Sequence, residues 1–273
     1  MLLWLLASGS GLWGSWTLGL AAPDSVVATL QSRLRAWLRT EMTEPDTSQR
    51  AGRPITAVLL SAGLDSAVLA ASEARTSRVH PVYVSTGLAW EDAELEALER
   101  LLATAPYRDM EPVARLTFTV RDLYSPSHWA LRGEPPAFDT PDEDVYLTGR
   151  NVILLSKAGI YCAQHGIGRL VIGPLAGNPF PDATPDFFAT MARALSLGLA
   201  HDLAIDAPFV SMEKSDVIRL GESLGVPLEL TLSCMNPRDG LHCGQCSKCR
   251  ERRDAFRDAG VEDPTSYAVA PAR

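Results

Sequence analysis

From residue 55 onward, continuous apolar runs alternate with stretches whose apolar residues recur every three or four positions. ITAVLL at 55–60 is apolar almost throughout, as a strand covered on both faces demands. Residues 66–73 then read as a helix. HPVYVST (80–86) predicts a second strand, followed over 90–102 by a helix with apolar positions at 95, 98, 101 and 102. RLTFTV (115–120) predicts a third strand, 151–165 a long helix, and RLVIG (169–173) a fourth strand. Residues 187–199 predict a helix, 203–206 a short strand, and 213–224 a helix ending near Gly225. Strands alternating with helices of this length predict an α/β fold, doubly wound about a mostly parallel sheet. Residues 121–147, rich in prolines and acids, break the rhythm. A long loop inside a compact domain is usually a lid or substrate loop.

The stretch before residue 55 follows other rules. Residues 1–23 carry no charge, which matches the length of a membrane span. No Lys or Arg precedes the run, as a secretory signal would require, and Gly9, Gly11, Gly14 and Gly19 dilute it. A signal, an anchor and an ill-chosen start codon stand as alternatives, and no membrane association is expected. Val27, Leu30, Leu34, Trp37 and Leu38 predict an amphipathic helix, and 43–54 a polar linker. The expected plan is an N-terminal extension over 1–53, a nucleotide-binding domain over 54–230, and a metal-binding region over 231–273 packed on the same domain.

Composition narrows the function. With 46% hydrophobic and 21% charged residues the chain can bury a sizeable core. Its net charge of −8 argues against a long grip on a phosphate backbone, so no direct nucleic-acid partner is expected. Five cysteines are too few for a disulfide scaffold, and a cytoplasmic location is expected.

Two clusters carry candidate chemistry. Leu60, Ser61, Ala62, Gly63, Leu64, Asp65 and Ser66 lie where the first strand ends and a helix begins. Gly63 permits a tight turn, the two serines bring hydroxyls, and the helix N-terminus offers free N–H groups, which suits an anion. Asp65 would cap the helix or hold Mg²⁺ beside a phosphate. A plain strand-to-helix turn is the alternative. No Walker-type Gly-x4-Gly-Lys-Ser/Thr loop occurs, which disfavours γ-phosphoryl transfer.

The second cluster is Cys234, Cys243, Cys246 and Cys249. Thiolates at two-residue spacing converge on a tetrahedral Zn²⁺ about 2.3 Å away. A structural zinc is expected; disulfides, free thiols and an iron–sulfur cluster are the alternatives. Four sulfur ligands leave no position for water, so this metal is expected to stay out of catalysis. Lys248, Arg250, Arg252 and Arg253 are placed to offset its charge, His242 is expected to be a neighbour, and Cys162 a buried side chain.

Together these features resemble the 7-cyano-7-deazaguanine synthase family of the PP-loop ATP pyrophosphatases. The resemblance spans 55–267. It rests on LLSAGLDSAVLAA (59–71), LTGRNVILLSKAG (147–159), FPDATPDFF (180–188) and KSDVIRLGESLGVPLELTLSC (214–234). CGQCSKCRERRDAF (243–256) and DPTSY (263–267) complete it. It implies ATP-dependent conversion of 7-carboxy-7-deazaguanine and ammonia to 7-cyano-7-deazaguanine, by way of an adenylate and an amide, for queuosine-type nucleosides. It also implies that residues 60–66 bind the pyrophosphate end of ATP with Mg²⁺, and that Asp65, Lys214 and Arg150 are catalytic. Arg150, Asn151 and Asp182 would bind the substrate, Asp182 through the guanine-like N1–H and amine. A solvated lysine and a turn aspartate are the plainer alternatives for Lys214 and Asp182. A homodimer is compatible with the resemblance.

The chain departs from the family at three places, of which the second and third lie near the expected substrate pocket. Ala62 stands where the family has glycine, Thr148 where it has proline, and FPDATPDF lacks the family's Tyr, Cys and Arg. If Ala62 takes a positive φ, the cost is about 1 kcal/mol. Rival enzymes are a paralogous ligase joining such a carboxylate to another amine, and a tRNA thiolase. The non-enzymatic rival is a degenerate domain kept as an interaction module.

Overall fold

A computed structural model describes residues 52–270. The apolar segment, the amphipathic helix and most of the linker expected before residue 55 lie outside the described residues.

The strands β1 (Ile55–Leu59), β2 (Arg78–Ser85), β3 (Ala114–Thr117), β4 (Arg169–Val171) and β5 (Ala204–Asp206) form one sheet in the order β3-β2-β1-β4-β5. Every pairing is parallel, with Leu59 opposite Val82 and Val58 opposite Val171. Successive side chains of β1 point to opposite faces. Val58 and Leu60 join one core, with helices α1 (Leu64–Glu73), α2 (Glu91–Leu102), α6 (Lys214–Ser223) and α7 (Ser247–Ala259). Ala57 and Leu59 join the other, with α4 (Arg150–Gln164) and α5 (Pro185–Leu199). Two covered faces explain why β1 reads as one apolar run. The fold is α/β and doubly wound, as the hydrophobic pattern predicts.

Strand ends differ from the sequence expectation for local reasons. β3 stops at Thr117 rather than 120, because its partner β2 ends at Ser85 and the chain then turns through Gly87 with φ +89. Single hydrogen bonds, Phe118 N to Ser85 O (2.8 Å) and Val120 N to Thr86 O (2.9 Å), continue the direction without a ladder. β4 ends at Val171 because its partner β5 has only three residues. The expected loop over 121–147 has structure of its own. It holds a short helix α3 (Trp129–Arg132), whose Trp129 stacks on Trp90 at 5.9 Å, and a 3₁₀ turn over Asp142–Val145.

The cysteine-bearing segment shares the first core: Cys234, Cys243, Cys246, Cys249 and Phe256 are buried in the same cluster as Val58. Among the described residues no helix is long and apolar enough to cross a membrane.

Candidate functional site

In this strand order the connections from β1 and β4 leave toward opposite faces, which opens a crevice beyond their carboxyl ends. The predicted anion turn fills that crevice. Leu60 and Leu64 are buried and hold the turn from below. The reversal is made by Ala62, with φ 58, whose carbonyl accepts a hydrogen bond from Leu232 N (2.8 Å). Gly63, expected to make the tight turn, is instead extended, with φ −61 and ψ 148. A Cβ there would meet Ser61 Oγ at 3.4 Å, an ordinary contact, so the protein's own packing does not require glycine. Its smallness leaves that corner bare toward the cavity.

Gly63 is the N-cap of α1 and has no side-chain acceptor. The N–H groups of the first turn are thus left for a ligand. Ser66 Oγ donates to Gly63 O (3.0 Å), and Ser61 and Ser66 Oγ accept from the Gly63 and Ser61 backbone N–H groups (3.4 Å each). These bonds pin the turn in its open form.

Asp65 points back from that first turn. Its Oδ2 accepts from Lys214 Nζ (3.2 Å), while its buried Oδ1 has no partner. An orphaned buried carboxylate oxygen beside an anion turn is a fitting cation ligand. Lys214 is 16% exposed and held between Asp65 and Glu251, so it is not a solvated lysine. Burial alone would lower its pKa, but the two carboxylates raise it well above the usual lysine value. Burial works against Glu251 as well, yet Lys214 and Lys248 hold its pKa at about 2.

Arg150 opens α4 and faces the same crevice, with its buried Nε unpartnered. Asn151 and Asp182 pair with each other. Asn151 N donates to Asp182 Oδ2 (3.0 Å) and Asn151 Nδ2 to Asp182 O (2.9 Å). Much of the polar capacity of both therefore ties the start of α4 to the turn over Pro181–Ala183. Burial pushes the Asp182 pKa up.

Two adjoining cavities, of about 300 and 440 Å³, meet over the anion turn. Asn151, Asp182 and Ser66 line the smaller, and Lys214, Lys248 and Glu251 the larger. Ser61, Gly63, Asp65, Arg150 and Glu94 line both. Glu94 and Glu251 are site residues that the sequence reading missed. Glu94 had a visible signal, since it shares a helical face with Leu98 and Leu101, a core position where an acid is unexpected.

The four cysteine sulfurs lie within 4.8 Å of one another. Separations of 4.0, 3.9 and 3.5 Å match a tetrahedron of Zn–S bonds, whose edges are about 3.8 Å, and rule out S–S bonds. Backbone N–H groups of Asn236 and Cys243 point at Cys234 Sγ (3.3 and 3.2 Å), and that of Gln245 at Cys243 Sγ (3.3 Å). Such donors stabilise thiolates, so the residues fit a metal ion. His242 stands aside: its Nε2 accepts from Ser233 N (3.1 Å), and burial lowers its pKa to about 3. The expected ring of cations is differently arranged. Arg252, fully buried, directs its donors to Thr231, Ser233, Thr265 and the Leu228 carbonyl. Arg250 reaches the Phe138 and Thr140 carbonyls at 2.7 and 3.0 Å. Cys162 lies in the second core, its thiol pushed up to about 12 by burial, which suits packing and not a reactive thiolate.

Comparison with known proteins agrees with this geometry. The family model described as "Queuosine biosynthesis protein QueC" matches residues 55–260. A 7-cyano-7-deazaguanine synthase of Methanothrix thermoacetophila is 34% identical over 220 residues, covering 77% of this chain and 96% of the relative. One from Methanopyrus kandleri is 36% identical over 229 residues, covering 78% and 98%. One from Xanthomonas campestris is 36% identical over 225 residues, covering 78% and 97%. The matched span includes the anion turn, Arg150, Lys214 and all four cysteines; the chain belongs to the queuosine biosynthesis protein QueC family.

Proposed function

We propose that this chain converts 7-carboxy-7-deazaguanine, ammonia and ATP into 7-cyano-7-deazaguanine, as the names of its relatives suggest. The observation that carries the reading is the uncapped start of α1 set beside the unpartnered Asp65 Oδ1. A carboxylate is a poor electrophile, and attack of its oxygen on the α-phosphate of ATP converts it to an acyl-adenylate with AMP as leaving group. Pyrophosphate departs into the N–H groups of residues 64–66, which stabilise developing negative charge. Arg150, with its free Nε, orients the anionic atoms of substrate and adenylate, and Lys214 shifts from its carboxylate partners toward the phosphates. Ammonia then displaces AMP to give the amide. A second adenylation, on the amide oxygen, lets AMP leave again as the nitrile forms.

Asp65 is the residue to hold Mg²⁺, which when bound spreads the charge on the phosphates. The four cysteines would hold a structural zinc. Asp182 retains its other carboxylate oxygen for the guanine-like edge of the substrate.

Incubation with ATP, Mg²⁺, ammonium and 7-carboxy-7-deazaguanine, read by mass, tests this. Nitrile with AMP is the expected result. AMP without amide or nitrile would favour a ligase for another amine, and no AMP would contradict adenylation altogether.

A further inference from the structure

Three ionisable residues line both cavities: Asp65, Arg150 and Glu94. Asp65 pairs with Lys214 through Oδ2 and offers Oδ1 to a cation, and Arg150 is a permanent cation. Among the described acidic residues that line both cavities, Glu94 is the one left without a cation partner within salt-bridge distance. Its neighbour Glu91 is no alternative, because Ser85 Oγ, Thr86 N, Thr86 Oγ1 and Gly87 N saturate its carboxylate within 2.7–3.0 Å. Glu94, only 8% exposed, accepts from Tyr83 OH on Oε2 at 3.2 Å and from the Trp90 side chain.

We propose that Glu94 is the proton acceptor of the amidation step, taking a proton from ammonium bound at the cavity junction. The proposal rests on the amidation reading above. One proton passes from ammonium to the Glu94 carboxylate, and the resulting ammonia forms the N–C bond to the acyl carbon. The C–O bond to phosphate breaks with its electron pair on AMP, whose phosphate takes the second proton. Arg150 draws the acyl phosphate, while the oxygens of Glu94 and Tyr83 draw the ammonium. The groups facing Glu94 are Tyr83 from β2, Glu91 and Trp90 beside it, and Arg150 from α4. Burial, the largest effect, together with Glu91 outweighs Arg150, Tyr83 and Trp90 and raises its pKa to about 7. A base with that pKa works well at neutral pH.

The test uses Glu94→Gln in the full chain. Carboxylate-dependent exchange between ATP and pyrophosphate should stay within about tenfold of the native rate, while amide formation from ammonium falls about 10²–10⁴-fold. Hydroxylamine, an amine already neutral at the assay pH, should restore acyl transfer in the variant as a hydroxamate. Unchanged amidation, loss of exchange as well, or failure of hydroxylamine to rescue would each overturn the assignment. If the variant does not fold, the native protein decides. Amidation at fixed total ammonium should level off above about pH 7 if Glu94 is the base. A rise that continues with free ammonia would exclude it. Absence of exchange in the native protein would instead overturn the adenylation reading, and this inference with it.

Discussion

Ala62 holds a left-handed conformation that its β-carbon disfavours by about 1–2 kcal/mol. Glycine would relieve this, but would lose a buried methyl worth about 0.8 kcal/mol and add about 0.4–1 kcal/mol of unfolded-state entropy. These effects nearly cancel. Ala62→Gly should therefore change stability by less than about 1 kcal/mol, whereas Ala62→Val, β-branched at positive φ, should cost more than about 2 kcal/mol. Urea unfolding of both variants checks the pair. Glu94 has a different signature. Its pKa is raised from 4.5 to about 7, so the folded chain binds this proton more tightly than the unfolded chain. Stability is lost as pH rises from 4.5 to about 7 and is level above that. At 1.36 kcal/mol per unit the loss is at most about 3 kcal/mol. Glu94→Gln cannot ionise, so between pH 5 and 8 it should gain on the native chain by up to that amount. Parallel pH profiles for the two proteins would contradict the burial argument.

Helix α7 and the segment 121–147 depend on each other. Arg250, on α7, fastens the Phe138 and Thr140 carbonyls, Arg253 lies 5.0 Å from the Phe138 ring centroid, and Ala137 bridges Cys246. The same segment delivers Val145 and Leu147 to both cavities. The cysteine-bearing segment therefore braces the wall of the cavities as well as the fold. A hydrogen bond to a charged group contributes about 1.5–3 kcal/mol. Arg250→Ala should thus raise KM for the carboxylate about tenfold or more and speed proteolysis within 133–146, with bound metal retained. Unaltered KM and cleavage would show that the clamp is idle. Much at this scale was legible in the sequence. β1, α2 and α4 follow their hydrophobic periods, and the Cys spacing marks the metal motif. The clamp was not legible, because it joins residues about 110 positions apart through backbone carbonyls, which carry no residue signature. α7 was hidden for a related reason: its sequence SKCRERRDAFRDA is mostly polar, and burial of Arg252 comes from tertiary partners.

At the scale of the molecule, the strand order puts the anion turn, Arg150, Lys214 and the metal-binding segment around one crevice, although the sequence spreads them from residue 60 to 251. The alternation of strands and helices foretold the doubly wound sheet, and the small residues at 60–66 foretold the turn. Which acids would face the cavities could not be read in the same way. Glu94 lies in a helix with four other acidic residues; the helical face shared with Leu98 and Leu101 narrows these to Glu91 and Glu94, and only packing separates the two. The net charge of −8 is consistent with small-molecule chemistry and leaves the positive potential local, at the uncapped helix and its two cations. The proposed chemistry requires that corner to receive the phosphates of ATP. The most direct measurement is ATP–pyrophosphate exchange, driven by 7-carboxy-7-deazaguanine, in the native protein and in Asp65→Ala. The native protein should exchange only when the carboxylate is present, and the variant should lose more than about 100-fold with the metal at its four cysteines unchanged. Exchange that persists in Asp65→Ala, or that ignores the carboxylate, would contradict the account.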